Sequence, residues 1–355
     1  MIVTVTLNPA LDLTYSVDAL VPHGTHRVGT VAERPGGKGL NVARVLHTLG
    51  EPVLATGLLG GATGSRVADL LTGEGVPSSF VRIAGETRRT VAVVDGTDAT
   101  GFWEPGPAVS AGEWSLFVTE FRELLGPATV VALSGSLPPG VPIDAYAQLI
   151  ALASEVGVRT VLDTSGPALL AGLRAGPSMA KPNVDELTDV LRAENGRRPG
   201  PRGLAEAVRS LAAGPVVVSR GAAGLFAVTP DEVWECAPPA PVEGNPTGAG
   251  DACVAALARG LRDHTPWPAL LPDAVALSAA AVAAPVAGAF DPGVYQRTRA
   301  TATPAAASPA TPQAAASPAG QQAGASPADP QPAASPAAPQ AAATPLGGNR
   351  ARTHR

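Results

Sequence analysis

The hydrophobic positions of this chain change period along its length, and the changes outline its elements. Short apolar runs rich in β-branched residues fall at Met1–Thr6, Val53–Leu58, Thr129–Ser134, Thr160–Asp163, Ser178–Lys181 and Pro215–Ser219. Between them, apolar residues recur at helical spacing over Leu40–Leu49, Gly64–Leu71, Ile143–Val156, Glu186–Leu191 and Gly203–Ala212. Strands that alternate with helices imply βαβ units, hence an α/β fold with a mainly parallel sheet covered by helices on both faces. Two segments break this rhythm. Leu11–Arg34 and Thr87–Trp103 alternate as strands do, with no helix nearby. They are expected to pair as a small β-sheet lid over a cleft. Ala274–Phe290 carries no charge but contains Pro285 and is short for a membrane span, so it reads as a buried helix.

From about Thr301 the pattern disappears into Ala, Pro, Ser, Thr and Gln, with a Ser-Pro or Thr-Pro step every nine residues from Ser308 to Thr344. Such a tract cannot bury enough apolar area to offset about 1–2 kcal/mol of backbone entropy per residue. Residues 300–355 are expected to form a disordered tail with polyproline II character, and residues 1–299 the folded domain. A stacked solenoid would need large apolar residues that the repeat lacks.

Composition narrows the function. The net charge is −5 and no basic face stands out, so nucleic acid is not an expected partner. Two isolated cysteines, Cys236 and Cys253, suit reduced thiols in a cytoplasmic protein. The first residues lack a basic region and a cleavage site, so no signal peptide and no membrane association are expected. The 25 basic residues include only two lysines, Lys38 and Lys181. A chain that otherwise uses arginine keeps lysine where a compact ammonium is required.

Both lysines sit in motifs. In Pro35-Gly36-Gly37-Lys38-Gly39-Leu40-Asn41, glycines let a ligand approach the backbone, and the following helix aims its amides at the loop. Asn41 suits a sugar hydroxyl and Lys38 a phosphate; the plainer reading is a glycine turn capping a helix. The Walker A order is absent. In Asn245-Pro246-Thr247-Gly248-Ala249-Gly250-Asp251, a Gly-Ala-Gly turn before an apolar helix leaves amides for developing negative charge. Asp251 then suits a general base, or simply a helix cap. In Lys181-Pro182-Asn183-Val184-Asp185-Glu186, Asn183 and Glu186 fit either a capping arrangement or a site organising water and Mg²⁺ near phosphates. Val218-Ser219-Arg220-Gly221 is a strand end and turn suited to a nucleotide pocket, or to an ordinary turn.

Taken in this order, the motifs resemble those of the PfkB (ribokinase-like) family of carbohydrate kinases, from Met1 to about Arg299. The branch that looks most similar is that of 1-phosphofructokinase and tagatose-6-phosphate kinase. Its carriers here are Thr6–Asp12, the lysine of Gly-Gly-Lys-Gly, Thr87-Arg88 and Ser134–Gly140. The resemblance implies a ribokinase-like three-layer α/β/α fold. It also implies ATP-dependent phosphorylation of a ketohexose phosphate, with Mg²⁺. Fructose 1-phosphate would give fructose 1,6-bisphosphate, or tagatose 6-phosphate would give tagatose 1,6-bisphosphate.

In that scheme Asp251 is the base, with Gly248, Ala249 and Gly250 forming the anion hole. Asp12, Gly37, Asn41 and Ser136 belong to the sugar, and Lys38, Arg88 and Arg27 hold its phosphate. Lys181, Asn183, Ser219, Gly221 and Gly224 belong to the nucleotide, and Glu186 reaches Mg²⁺ through water. Family likeness also suggests a homodimer joined through the lid. There are departures: Asn245-Pro246 precede the Gly-Ala-Gly turn, Arg220 replaces an apolar residue, and the final helix is expected to be shortened or replaced by the tail. The alternatives are a kinase of an unphosphorylated sugar or nucleoside, and a non-catalytic sugar-phosphate sensor.

Overall fold

A computed structural model describes residues 1–195 and 203–307. Of the tail expected to be disordered over 300–355, residues 308–355 lie outside the described residues, whereas 300–307 include the end of a helix and a short strand that joins the main sheet. The chain enters the core at once through β1 (Ile2–Thr6). It crosses into a separate small sheet as β2 (Ala10–Ser16) and β3 (Thr30–Gly36), then returns as helix α1 (Lys38–Thr48). A βαβ unit follows: β4 (Val53–Gly60), α2 (Gly61–Gly73) and β5 (Ser78–Ile83). The chain visits the small sheet again as β6 (Arg88–Val94) and β7 (Ala99–Trp103). Alternation then resumes with α3 (Ala111–Leu125), β8 (Val130–Ser134), α4 (Ala145–Glu155), β9 (Arg159–Asp163), α5 (Gly166–Arg174) and β10 (Met179–Ala180). After α6 (Val184–Asn195) and α7 (Leu204–Leu211) come β11 (Val216–Ser219), β12 (Leu225–Val228) and β13 (Val233–Cys236). The described chain closes with α8 (Ala249–Arg262), α9 (Trp267–Val282), α10 (Pro292–Thr301) and β14 (Ala305–Ala307).

The main sheet has ten strands in the order β14-β13-β12-β11-β10-β9-β8-β1-β4-β5. From β11 to β5 every pairing is parallel; the β12, β13 and β14 edge is antiparallel. Successive strand residues feed opposite faces, as the period of two requires. Val130 and Ala132 join the core under α1, α8 and α9, while Val131 and Leu133 join the core under α3, α4 and α5. This is a three-layer α/β/α arrangement. The small sheet has the order β3-β2-β6-β7, built from the two segments that broke the helical rhythm. Between β2 and β3, residues 17–29 form an exposed connection without a strand.

Several elements differ from the sequence reading. The uncharged helix expected at Ala274–Phe290 instead runs Trp267–Val282, because Pro285 forbids another turn. Helix α3 was not read from the sequence. Its signal is nevertheless present: Ser110 and Glu113 form a reciprocal capping box, and Trp114, Phe117 and Phe121 share its buried face. A closing helix also exists. Asp291 caps α10, whose Tyr295 and Thr298 are buried against the domain, so the tail does not replace it. Among the described residues, no helix is long and apolar enough to cross a membrane.

Candidate active site

The carboxyl ends of the parallel strands open onto a cavity of about 910 Å³. That is the usual ligand edge of such sheets. It collects residues from remote parts of the chain: Asp12, Lys38, Asn41, Arg88, Lys181 and Asp251 all line it. Gly37, Asn183, Glu186, Ser219, Gly221, Gly224 and the Gly248–Ala249–Gly250 turn line it as well.

At its centre is the N-terminus of α8. Gly248 is the N-cap, in the left-handed region at φ 90°. A side chain there would stand 2.9 Å from Cα of Ala287. Glycine is thus required both by the turn and by the close approach. The Ala249 amide already donates to the Pro246 carbonyl at 3.2 Å. The amides of Gly250 and Asp251 have no acceptor among the described residues, so these two, rather than Ala249, present free donors to an anion. Pro246 lost its own amide but supplies the carbonyl that closes the turn.

Asp251 is buried in the first turn of α8 and accepts a hydrogen bond from Asn41 Nδ2 at 2.8 Å. Burial first, and then the charge of Asp163, push its carboxyl up to about 7; Asn41, Lys38 and Lys181 oppose the rise. A carboxylate poised near neutrality suits proton transfer.

Lys38 departs from expectation. Its ammonium lies 3.2 Å from Asp163 and 3.5 Å from Glu186, with 38% of the side chain exposed. Burial works against its charge, but Asp163, Glu186 and Asp251 outweigh it and hold the ammonium above its ordinary range. Lys181 reaches the same Asp163 oxygen at 3.4 Å. Both lysines therefore meet at one carboxylate, which explains why neither is arginine: two planar forks would not fit there. Asp163 was not singled out in the sequence, although a carboxylate ending a parallel strand beside a cleft is a readable signal.

Asn183 and Glu186 satisfy both earlier readings. Each side chain accepts a hydrogen bond from the other's backbone amide at 2.8 Å, as in a capping box. The remaining Glu186 oxygen faces Lys38. A nucleotide-borne Mg²⁺ fits this donor set. Asp163 Oδ2 is buried without a hydrogen-bond partner, and Glu186 is a second carboxylate beside it. No cluster of three or more ligating side chains exists among the described residues. Mg²⁺ bound by one or two carboxylates plus substrate phosphates needs no more.

At the opposite end, Asp12 accepts a hydrogen bond from Thr90, a partner the sequence reading missed. Burial raises the Asp12 carboxyl, against Thr90, Arg88 and Arg44. Arg88 donates to the carbonyls of Asn8 at 3.2 Å and Glu104 at 3.4 Å. It makes no salt bridge among the described residues, so its charge is available to a ligand. Ser136 does not line the cavity. It accepts a hydrogen bond from Asn8 at 3.2 Å, one residue removed from Arg88. Arg27 does not belong to the cavity of this chain: it is exposed on the connection between β2 and β3, with its charge in water.

The profile of the pfkB family carbohydrate kinases matches residues 5–292. The chain belongs to the pfkB family of carbohydrate kinases. It is therefore a phosphotransferase with an alcohol group as acceptor, and it uses ATP with Mg²⁺. Among solved structures it is similar to phosphofructokinase-2 from Escherichia coli in complex with potassium. The two share 31% identity with a TM-score of 0.78, over 84% of this chain and 98% of that one. A possible 1-phosphofructokinase from Thermotoga maritima is 25% identical, with a TM-score of 0.75, over 86% of this chain and 99% of that one. Ribokinase from Thermotoga maritima, at 18% identity and a TM-score of 0.69 over 84% of this chain and 98% of that one, shares the ribokinase-like fold.

Proposed function

We propose that this kinase phosphorylates a ketohexose phosphate, fructose 1-phosphate or tagatose 6-phosphate, with Asp251 as general base. The observation that carries the reading is Arg88, a guanidinium without a carboxylate partner among the described residues, placed beside Asp12 in the cavity that also holds Asp251. A phosphate dianion recruits such a cation through charge-assisted hydrogen bonds.

In this reading Asp12 and Asn41 hold the sugar hydroxyls. The acceptor hydroxyl gives its proton to the Asp251 oxygen that Asn41 leaves free. Its oxygen bonds to the γ-phosphorus as the bond to the β-phosphate oxygen breaks, and ADP leaves. The amides of Gly250 and Asp251 meet the charge on the transferring group, where fixed dipoles contribute most. Asp163, and Glu186 through water, would hold Mg²⁺, which would supply neutralisation of the phosphate charge. Ser219, Gly221 and Gly224 line the nucleotide side.

A coupled assay over fructose 1-phosphate, tagatose 6-phosphate, fructose 6-phosphate and fructose tests this. One phosphorylated ketohexose should exceed fructose in kcat/KM by at least about tenfold, the lower bound for one bond to a charged group. The second reading, a kinase of an unphosphorylated sugar or nucleoside, draws on a specific observation: of the three cations expected to hold the phosphate, Lys38 is engaged by carboxylates and Arg27 lies outside the cavity, so Arg88 alone of the three lines it without a salt bridge among the described residues. Fructose or a nucleoside outrunning every sugar phosphate would establish it instead.

We further infer a homodimer joined through the small sheet, which then acts as a lid. Val31 and Phe102, on the two edge strands, are each 57% exposed, as are Val21 at 56% and Val28 at 41% on the connection between β2 and β3. Exposed large apolar side chains of this kind suit an interface. E. coli phosphofructokinase-2 has a tetrameric inhibited form. Light scattering should report a dimer at micromolar concentration and a monomer after Val31→Asp with Phe102→Asp; a monomeric parent chain would end this inference.

A further inference from the structure

Among the described residues, Arg44 is the only buried arginine, at 7% exposed. It lies on α1, one turn beyond Asn41. Its Nε and one terminal nitrogen donate to Glu74, just past the end of α2, at 2.5 and 3.0 Å. The other terminal nitrogen points elsewhere and donates to the Ala287 carbonyl at 2.9 Å.

Ala287 and Gly288 belong to the turn between α9 and α10. On one side, a side chain at Gly288 would stand 2.4 Å from the Arg44 guanidinium and 3.0 Å from Asn41 Oδ1. On the other, Ala287 Cα would lie 2.9 Å from a side chain on Gly248, the N-cap of α8. The turn is therefore a wedge between α1 and the start of α8. It lies against the carbonyl end of Asn41, leaving no room for a side chain at Gly288, while the amide end of the same side chain donates to Asp251.

We propose that Arg44 is a positioning residue for phosphoryl transfer. By holding the Ala287 carbonyl, it seats the turn behind Gly248. That seat sets two things together: the direction of the Gly250 and Asp251 amides, and the hydrogen bond from Asn41 to Asp251. The ion pair with Glu74 joins α1 to α2 and needs only two of the guanidinium nitrogens. The third donor is the one directed at the reacting end of the molecule. Lysine cannot replace it, because one ammonium cannot span Glu74 and Ala287 with a planar fork. The proposal rests on the reading of Asp251 as the base.

The test compares Arg44→Met, Arg44→Lys, Arg44→Ala and Asp251→Asn in the full chain. Steady-state kinetics use MgATP and the best substrate of the sugar panel, well below each variant's melting temperature. Displacing reacting groups by about 1 Å costs on the order of a hundredfold. The expected result for Arg44→Met is a kcat lowered about 10- to 100-fold with both KM values within about threefold. Arg44→Lys should fall between. Added guanidinium ion should raise the kcat of Arg44→Ala at least about threefold and leave Arg44→Met unchanged, since only the alanine leaves a cavity for it. A kcat for Arg44→Met within about threefold of the parent overturns the proposal. So does a loss of kcat, KM and stability together with no guanidinium rescue, which is what a packing role would give. If Arg44→Met does not fold, Arg44→Lys and the rescue decide. Full turnover in Asp251→Asn discards both the base and the role given to Arg44. An inactive Asp251→Asn beside a fully active Arg44→Met discards only the latter.

Discussion

Asp251→Asn is expected to lower turnover by at least about a hundredfold and to leave sugar-phosphate and MgATP binding nearly unchanged, because a positioned base contributes ~10²–10⁴ in rate. Asparagine keeps the shape and can still accept the Asn41 hydrogen bond; it cannot take a proton. Two pH measurements separate this from a packing defect. With the carboxyl near 7, kcat/KM of the parent enzyme should fall about tenfold per pH unit below that value and level off above it. The limb should vanish from the residual activity of the variant. Stability should move the other way. With the folded carboxyl pushed up to about 7 from an ordinary value of 3.8, the native state holds a proton that the unfolded state releases between those values. The parent therefore loses stability as pH rises through that window. Asp251→Asn does not. Its melting temperature should exceed the parent's most at pH 8, and the gain should shrink toward pH 5. Near-normal turnover in the variant would remove Asp251 from the mechanism whatever its stability.

The second large effect is expected at Arg88. Arg88→Gln should lower kcat/KM on the preferred sugar phosphate by about 10- to 100-fold, as loss of a hydrogen bond to a charged group costs about 1.5–3 kcal/mol. Activity on the unphosphorylated sugar should change little, so the preference between the two collapses. The asymmetry carries the argument. A general disturbance of the small sheet would depress both substrates, since Asp12 sits on the neighbouring strand β2 and pairs in register with Thr90 on β6. Equal losses on both substrates would exclude Arg88 as the phosphate-holding residue. The full charge of Arg88 is available for this task because its hydrogen bonds go to carbonyl oxygens, whereas Lys38 already faces two carboxylates.

The contrast between Lys38 and Arg88 also marks what was legible in the sequence. Local features were readable because their causes are local. The period of apolar residues located most strands of the parallel sheet to within a few positions. The Gly-Ala-Gly turn before an apolar helix announced the start of α8 and the carboxylate on it. The capping box of α3, Ser110 with Glu113, is an equally local signal. Charge pairing was different. Lys38 meets Asp163 across 125 positions of sequence, and Asn41 meets Asp251 across 210. Nothing in residue spacing says which carboxylate will neutralise which cation. A lysine in a glycine-rich loop reads as a phosphate ligand until the strand ends are assembled and Asp163 arrives beside it. Arg27 lies off the cavity of this chain for a related reason: alternation suggests strand through Arg34, but residues 17–29 form a surface connection instead.

The order of strands in the main sheet bears on how the protein is made. From β8 through β13, each strand lies beside the one before it in sequence, and the loops between them close over short distances along the chain. A chain leaving the ribosome can extend this sheet one strand at a time, each new segment landing on the edge its predecessor has just offered. The helix bearing Asp251 emerges only after β13, and the wedge that seats it follows α9. On the reading of Asp251 as the base, phosphotransfer competence therefore waits until α8 and the turn at Ala287 have emerged, after β1 through β13 are already available to the sheet.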